Sequence, residues 1–291
     1  MTEYAIADVG SNTIVLITYE IRDSRPVQNV YRSTPVHLID YVRDGVMSKE
    51  GIQKAAEVLR SYYAEAKARN IKYCWADITE PCRIENADEL VSALQETGFE
   101  VFPLSGYEEA YYDYRGACLS WPEIRDGIAF DVGGGSTELI SFRNGECVDA
   151  VSFHLGCVRL AHLPLDTEAC ETEIRKMQAM YPSLDTKVKT LVGIGGTVRA
   201  AALAASAIYG TKNIVKTEQF KELFEKIRDK DPRFTEVFLK TVDPGRQPVF
   251  LSGLHMILEI ARIMEAEEIL ISATGIREGF LLETIRKQQA D

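Results

Sequence analysis

The 291 residues are 46% hydrophobic and 26% charged, a globular composition that argues against long disorder and, at ~150 residues per domain, suggests two domains. With 33 basic against 44 acidic side chains the formal charge is −11, which weighs against a nucleic-acid or anionic-membrane binder acting through its surface field. The six cysteines (Cys74, Cys82, Cys118, Cys147, Cys157, Cys170) have no CxxC spacing and the four histidines form no HExxH. Zinc ribbons, redox pairs and zinc hydrolases therefore drop out, and the cysteines read as reduced thiols. No apolar run approaches the ~18 residues of a membrane span, and the N-terminus has no basic leader, so a soluble, cytoplasmic protein without signal peptide is expected.

In chain order, residues 4–8 and 14–21 are β-rich and separated by Gly10-Ser11-Asn12, a hairpin pattern. A third strand is expected between Val27 and Val36. Ser48 can cap a helix reaching about Arg69, whose Ile52, Ala55, Leu59 and Tyr62 keep a helical period. A strand follows at 71–77. Asn86 with Glu89 reads as a capping box, Gly98 stops that helix, and a strand at 99–104 and a helix from about 107 to 118 complete this half. The grammar then restarts: a strand at 127–131, a turn of three glycines and Ser136, and a strand at 137–142. Asn144-Gly145 signals a type I′ turn into a third strand at 146–153. A helix at 168–180, a strand at 189–194, a small-residue helix at 197–208 and an amphipathic helix at 276–289 are also expected.

The two hairpins match position by position, Asp8-Val9-Gly10-Ser11-Asn12-Thr13 against Asp131-Val132-Gly133-Gly134-Gly135-Ser136. Each Asp ends an apolar strand and precedes a tight turn rich in Gly, Ser or Thr, the signature of an internal duplication at long spacing. Such turns can present backbone N–H groups to an anion. No Walker A sequence is present, which excludes a P-loop enzyme.

With six motifs in order, the chain resembles the exopolyphosphatase and guanosine pentaphosphate phosphohydrolase family of the actin-like ATPase superfamily. The motifs are Asp8–Thr13, Leu104–Ala110, Asp131–Glu138, Leu155–Leu160, Gly193–Thr197 and Gly275–Gly279. The resemblance implies an α/β fold of two duplicated actin-like (ribonuclease H-like) domains, each a mixed sheet flanked by helices, with a cleft between them. Domain I would comprise 1–120, joined by the C-terminal helix 276–291, and domain II 121–275. It implies a Mg²⁺-dependent phosphohydrolase acting on inorganic polyphosphate or on the 5′ γ-phosphate of guanosine pentaphosphate. Glu109 matches the family's general base. Asp131 and Glu138, with Asp8, would hold the metal as hard oxygen ligands. Ser11, Asn12, Thr13, Arg83, Gly133, Gly134, Gly135, Ser136 and Thr137 would bind phosphate, and so would Gly195, Gly196 and Thr197, at a turn whose alternative role is close helix–strand packing. A homodimer is expected by analogy alone.

Within the acidic pair, Ser105 and Glu108 form a capping box, which gives Glu108 a structural task and leaves Glu109 for chemistry. The periphery departs from the family pattern. Glu80 stands where the family has a serine near the ligand, and would repel an anion unless it turns away. The 36–42 segment lacks the family's usual Arg-Leu-Gly and so its arginine, and Pro248 stands where an acidic residue is common. These departures favour short polyphosphate or a nucleotide-borne phosphate over a long polyanion. A non-catalytic polyphosphate or alarmone sensor, and an actin-like kinase for a small metabolite, remain as alternatives.

Overall fold

A computed structural model describes residues 2–164 and 167–290. The chain divides into two compact units, Met1–Glu109 with Phe280–Asp291, and Ala110–Gly279. The first contains β1 (Glu3–Val9), β2 (Thr13–Arg22), β3 (Arg25–Pro35), the short ribbon β4 (Val42–Arg43) and β5 (Val46–Met47), α1 (Lys49–Ala68), β6 (Tyr73–Ile78), α2 (Ala87–Gln95) and β7 (Glu100–Pro103). Its sheet runs β3-β2-β1-β6-β7, antiparallel through the first three strands and parallel from β1 to β7. Ala5, Ile6 and Ala7 in the central strand are fully buried, because this strand is covered on both faces. On one face Ala5, Ala7 and Val9 join the core built with Ile52, Ala55 and Leu59 of α1. That helix is nucleated by Ser48, whose hydroxyl accepts from the Gly51 N–H at 3.3 Å.

Helix α3 (Gly106–Ser120) leads from one unit to the other. The second unit continues with β8 (Gly127–Val132), β9 (Thr137–Arg143), β10 (Glu146–Phe153), α4 (Cys157–Ala161), α5 (Thr167–Met180), β11 (Thr190–Ile194) and α6 (Gly195–Tyr209). Then come β12 (Ile214–Lys216), α7 (Thr217–Arg228), α8 (Pro232–Thr241), α9 (Phe250–Ile263), β13 (Glu268–Ile271) and α10 (Ile276–Ala290), which returns to the first unit at Phe280. The sheet order β10-β9-β8-β11-β13-β12 repeats the first sheet's arrangement of an antiparallel triplet followed by two parallel strands, with β12 added antiparallel at the edge. The expected duplicated α/β architecture is thus present, with β12 and β13 beyond the strands expected from the sequence. Among the described residues no helix is long and apolar enough to cross a membrane.

Two local expectations change. Asn86 does not cap α2 through its side chain. Its amide pairs with the main chain of Met47 instead, accepting from N at 2.9 Å and donating to O at 3.0 Å. Met47 is buried at the edge of a two-residue ribbon, and the amide satisfies both of its backbone groups. The second is an omission: no element is named above between 210 and 275, yet three helices and two strands lie there. In α7 the buried Phe220, Leu223, Phe224 and Ile227 keep a helical period, whereas in α9 Leu254, Met256, Ile257, Ile260 and Ile263 are almost fully buried and a polar face is nearly absent. Three two-residue hairpin turns use two residues of positive φ, Asp23-Ser24 (49° and 59°), Asp44-Gly45 (48° and 78°) and Asn144-Gly145 (55° and 79°).

Inside the second unit α3 meets the start of α10 backbone to backbone. A Cβ on Gly116 would stand 1.9 Å from the Gly275 carbonyl oxygen, and one on Gly279 would stand 1.9 Å from that of Tyr112. Neither neighbour is a flexible side chain, so the helices themselves must separate. Gly279→Ala is expected to destabilise the protein by ~1–3 kcal/mol, the range for overpacking, read as a lowered Tm in thermal unfolding. An unchanged Tm would show that these helices part freely.

Candidate active site

In the second unit the turn between β8 and β9 is closed by Gly133 N–H donating to Ser136 O at 3.0 Å. The chain after β10 then folds back onto it. The N–H groups of Cys157, Val158 and Gly156 donate to the carbonyls of Gly133 (2.9 Å), Gly134 (2.9 Å) and Gly135 (3.2 Å), and Arg159 Nε adds a second bond to Gly135 O at 2.9 Å. In a trans peptide each C=O is antiparallel to the next residue's N–H. With three successive carbonyls held by the returning chain, the N–H groups of Gly134, Gly135 and Ser136 are directed away from it, as a set of donors suited to an anion. The approach needs glycine: a Cβ on Gly156 would lie 2.4 Å from Gly134 O.

Strand register places Asp131 directly opposite Glu138, so both carboxylates lie on one face of the sheet. Glu138 is buried and accepts from Ser152 Oγ at 2.6 Å, its register partner on β10. Asp131 packs against the first residue of α6. Gly195 has φ of +83°, and a Cβ there would fall 2.0 Å from Asp131 Oδ1. A Cβ on Gly196 would likewise fall 2.4 Å from the Arg246 guanidinium. Arg199, one turn further along α6, has its pKa lowered by burial and by the nearby Arg277 and Arg246 charges, while Asp131 and Glu278 oppose that shift. Sequence reasoning did not single out Arg199 or Arg246. For Arg199 the signal was its place four residues after Gly195 in a helix; for Arg246 the sequence held none.

The hydroxyls of Thr137 and Thr197 are used within this scaffold. Thr137 is fully buried and donates to Leu155 O at 2.7 Å, and Thr197 donates to Val132 O at 2.6 Å. Burial raises the Cys157 thiol pKa, so this cysteine behaves as a core residue.

The first unit repeats the turn. Gly10 N–H donates to Thr13 O at 3.2 Å, and the chain after β3 folds back: Val36 and His37 donate to Asn12 O at 2.9 and 3.0 Å, and Ile39 to Ser11 O at 3.2 Å. The N–H groups of Asn12 and Thr13 are turned away by the same geometry. Here Asp8 stands opposite Val15 on β2 and beside Asp77 on β6, so the partner carboxylate of the second unit's hairpin is absent from this one. Ser11 Oγ donates to Glu80 Oε2 at 2.6 Å, with both side chains buried. Glu80 therefore turns in toward the turn rather than away from it.

Glu108 and Glu109 separate as their spacing implied. Ser105 N–H donates to Glu108 Oε2 at 2.9 Å and Glu108 N–H to Ser105 Oγ at 3.2 Å, a complete capping box. The buried Glu109 carboxylate forms an ion pair with Arg83. The other residues named from the sequence, Gly133 to Ser136 and Gly195 to Gly196, lie in the second unit with Asp131 and Glu138.

Gly195→Ala combines a left-handed backbone with a clash on the Asp131 carboxylate. It is expected to cost at least ~1–2 kcal/mol, read as a reduced urea midpoint at unchanged m-value. A wild-type midpoint would mean that Asp131 moves aside freely.

Residues 24–288 match the Ppx/GppA phosphatase family. A Haemophilus influenzae protein provisionally named an exopolyphosphatase is 23% identical across 96% of this chain and 90% of its own length. The guanosine-5′-triphosphate,3′-diphosphate pyrophosphatase of Aeromonas hydrophila is 26% identical across 96% of this chain, which spans 58% of that relative's length. The crystal structure of the Aquifex aeolicus Ppx/GppA family member superposes with a TM-score of 0.80 at 23% identity, covering 99% of this chain and 98% of the other. Two sheets of the same order, the repeated glycine-bearing turn and a family match over nearly the whole chain agree: the chain belongs to the Ppx/GppA phosphatase family.

Proposed function

We propose that this protein is a Mg²⁺-dependent phosphohydrolase that releases the terminal phosphate of inorganic polyphosphate, preferably short chains, or the 5′ γ-phosphate of guanosine pentaphosphate. The observation that carries the reading is the tied-back turn, built twice, whose carbonyls are consumed by the following chain and whose N–H groups are left for phosphate oxygens. Water attack on a terminal phosphoanhydride needs a positioned base and stabilised charge, with little covalent chemistry from the protein. Glu109 takes the proton of the attacking water as its oxygen bonds to the terminal phosphorus and the bond to the bridging oxygen breaks. Arg83 fixes the direction of that carboxylate, and its guanidinium carries five N–H donors, enough to serve a phosphate oxygen as well.

Among the described residues no group of three or more His, Cys, Asp or Glu is assembled as a metal cage. The Asp131–Glu138 pair suits Mg²⁺ nevertheless, since this ion commonly takes one or two carboxylates and fills its shell with water and phosphate oxygens. By the resemblance of Asp8–Thr13 to the family's first motif, Asp8 would be a further oxygen ligand. When bound, Mg²⁺ would neutralise charge on the phosphate oxygens. The Gly134, Gly135 and Ser136 N–H groups would orient the phosphate, as would those of Asn12 and Thr13. Cytoplasmic location and a homodimer belong to the same proposal.

Phosphate release from tripolyphosphate, long polyphosphate and guanosine pentaphosphate, with Mg²⁺ or EDTA, tests this reading. Release that requires Mg²⁺ and falls at least ~100-fold in kcat in Glu109→Gln, with unchanged Tm, is expected. Absence of release from all three, with binding intact, would overturn the hydrolase and leave a polyphosphate or alarmone sensor. Transfer of phosphate from ATP to an added small metabolite would instead indicate a kinase.

A further inference from the structure

We infer that Ser152 is a positioning residue for the divalent cation: its hydroxyl sets the Glu138 carboxylate for coordination, so that losing it weakens cation binding while turnover at saturating cation persists. The inference rests on the reading of Asp131 and Glu138 as metal ligands. Register puts the three side chains in one row across three antiparallel strands, Asp131 on β8 opposite Glu138 on β9, and Glu138 opposite Ser152 on β10. Residues directly opposite on neighbouring strands share a face of the sheet. Ser152 Oγ donates its one proton to Glu138 Oε1 at 2.6 Å, the separation of a hydroxyl bonded to an ionised carboxylate. The last torsion of a glutamate side chain is broad and weakly confined on its own. A directional bond to one carboxylate oxygen narrows it.

The first unit provides an internal comparison. There Asp8 stands opposite Val15, and Val15 opposite Ser33, so a serine fills the third place of both rows. Ser33 is exposed and faces a side chain that cannot accept its proton. Of the two rows, the one with facing carboxylates is the one whose serine is bonded to a carboxylate. The strand that carries Ser152 also runs into the returning chain. Phe153 pairs with Thr137 at the next register position, and Gly156, four residues past Ser152, donates to Gly135 O in the turn. Ser152 therefore ties the carboxylate to the same stretch of backbone that holds the turn carbonyls. Hydrogen-bond partners that orient metal ligands are typically worth about 10–100-fold in metal affinity.

Mn²⁺ titrated into the protein and followed by electron paramagnetic resonance reads cation binding without turnover, and Mg²⁺ activation of phosphate release reads it in use. At matched Tm, Ser152→Ala is expected to raise the Mn²⁺ Kd about 10–100-fold, with the Mg²⁺ concentration for half-maximal release rising in parallel and kcat at saturating Mg²⁺ falling less than about threefold. Ser152→Thr keeps the hydroxyl and should bind Mn²⁺ close to the wild-type Kd. If Ser152→Ala lowers Tm, Ser152→Cys takes its place, keeping the shape with a weaker donor, and should raise the Kd at least about threefold. A wild-type Kd in the alanine variant, or in the cysteine variant where it stands in, overturns the inference alone. So does a loss in Ser152→Thr equal to that in Ser152→Ala. Wild-type protein that binds no Mn²⁺, or whose Kd is unmoved by both Asp131→Asn and Glu138→Gln, overturns the metal reading beneath it.

Discussion

The feature on which the candidate chemistry depends is a set of backbone hydrogen bonds far less conspicuous than any side chain. In each unit the chain that leaves the third strand donates N–H groups to the carbonyls of the first tight turn. Left alone, a glycine-rich turn samples many backbone conformations, and its N–H groups would point in no constant direction. Binding the carbonyls removes that freedom on one side and thereby aims the amides on the other. The arrangement costs no side chain, which explains how the turn sequence could change from Ser11-Asn12-Thr13 to Gly134-Gly135-Ser136 while the bond from the first glycine to the last turn residue persists.

That dependence also explains why so much of the fold was legible. The two hairpins announce themselves through alternating β-rich runs, a punctuating glycine and matched aspartates, and strand order follows from repeating that unit. The Asp131–Glu138 pairing was implicit too, since they stand seven positions apart and a four-residue turn sets the register. The split between Glu108 and Glu109 was readable because a capping box is a local pattern.

What could not be read was set by partners distant in sequence. Glu80 finds Ser11 across 69 residues, and no periodicity says whether a carboxylate turns in or out. Asn86 has the spacing of a cap and the partner of a strand, because an amide bonds equally well to either kind of backbone group. The hydroxyls of Thr137 and Thr197 find their partners, Leu155 O and Val132 O, 18 and 65 residues away. Arg246 is brought to Gly196 only by the packing of the segment after α8.

The two copies share one scaffold and differ in charge. Opposite the conserved turn aspartate, one hairpin places Glu138 and the other Val15. Only the second hairpin can therefore offer a cation two carboxylates from facing positions of one ladder. The first offers Asp8 beside Asp77 of a parallel strand, and adds the Glu80 carboxylate at its turn and the Arg83–Glu109 pair. Val15 cannot coordinate a cation, so the first hairpin has no facing pair of carboxylates like Asp131 and Glu138. On the proposed reading this difference between the copies would let Glu109 serve proton transfer while the Asp131–Glu138 pair serves charge neutralisation, two demands that a symmetric site would have to satisfy with the same side chains.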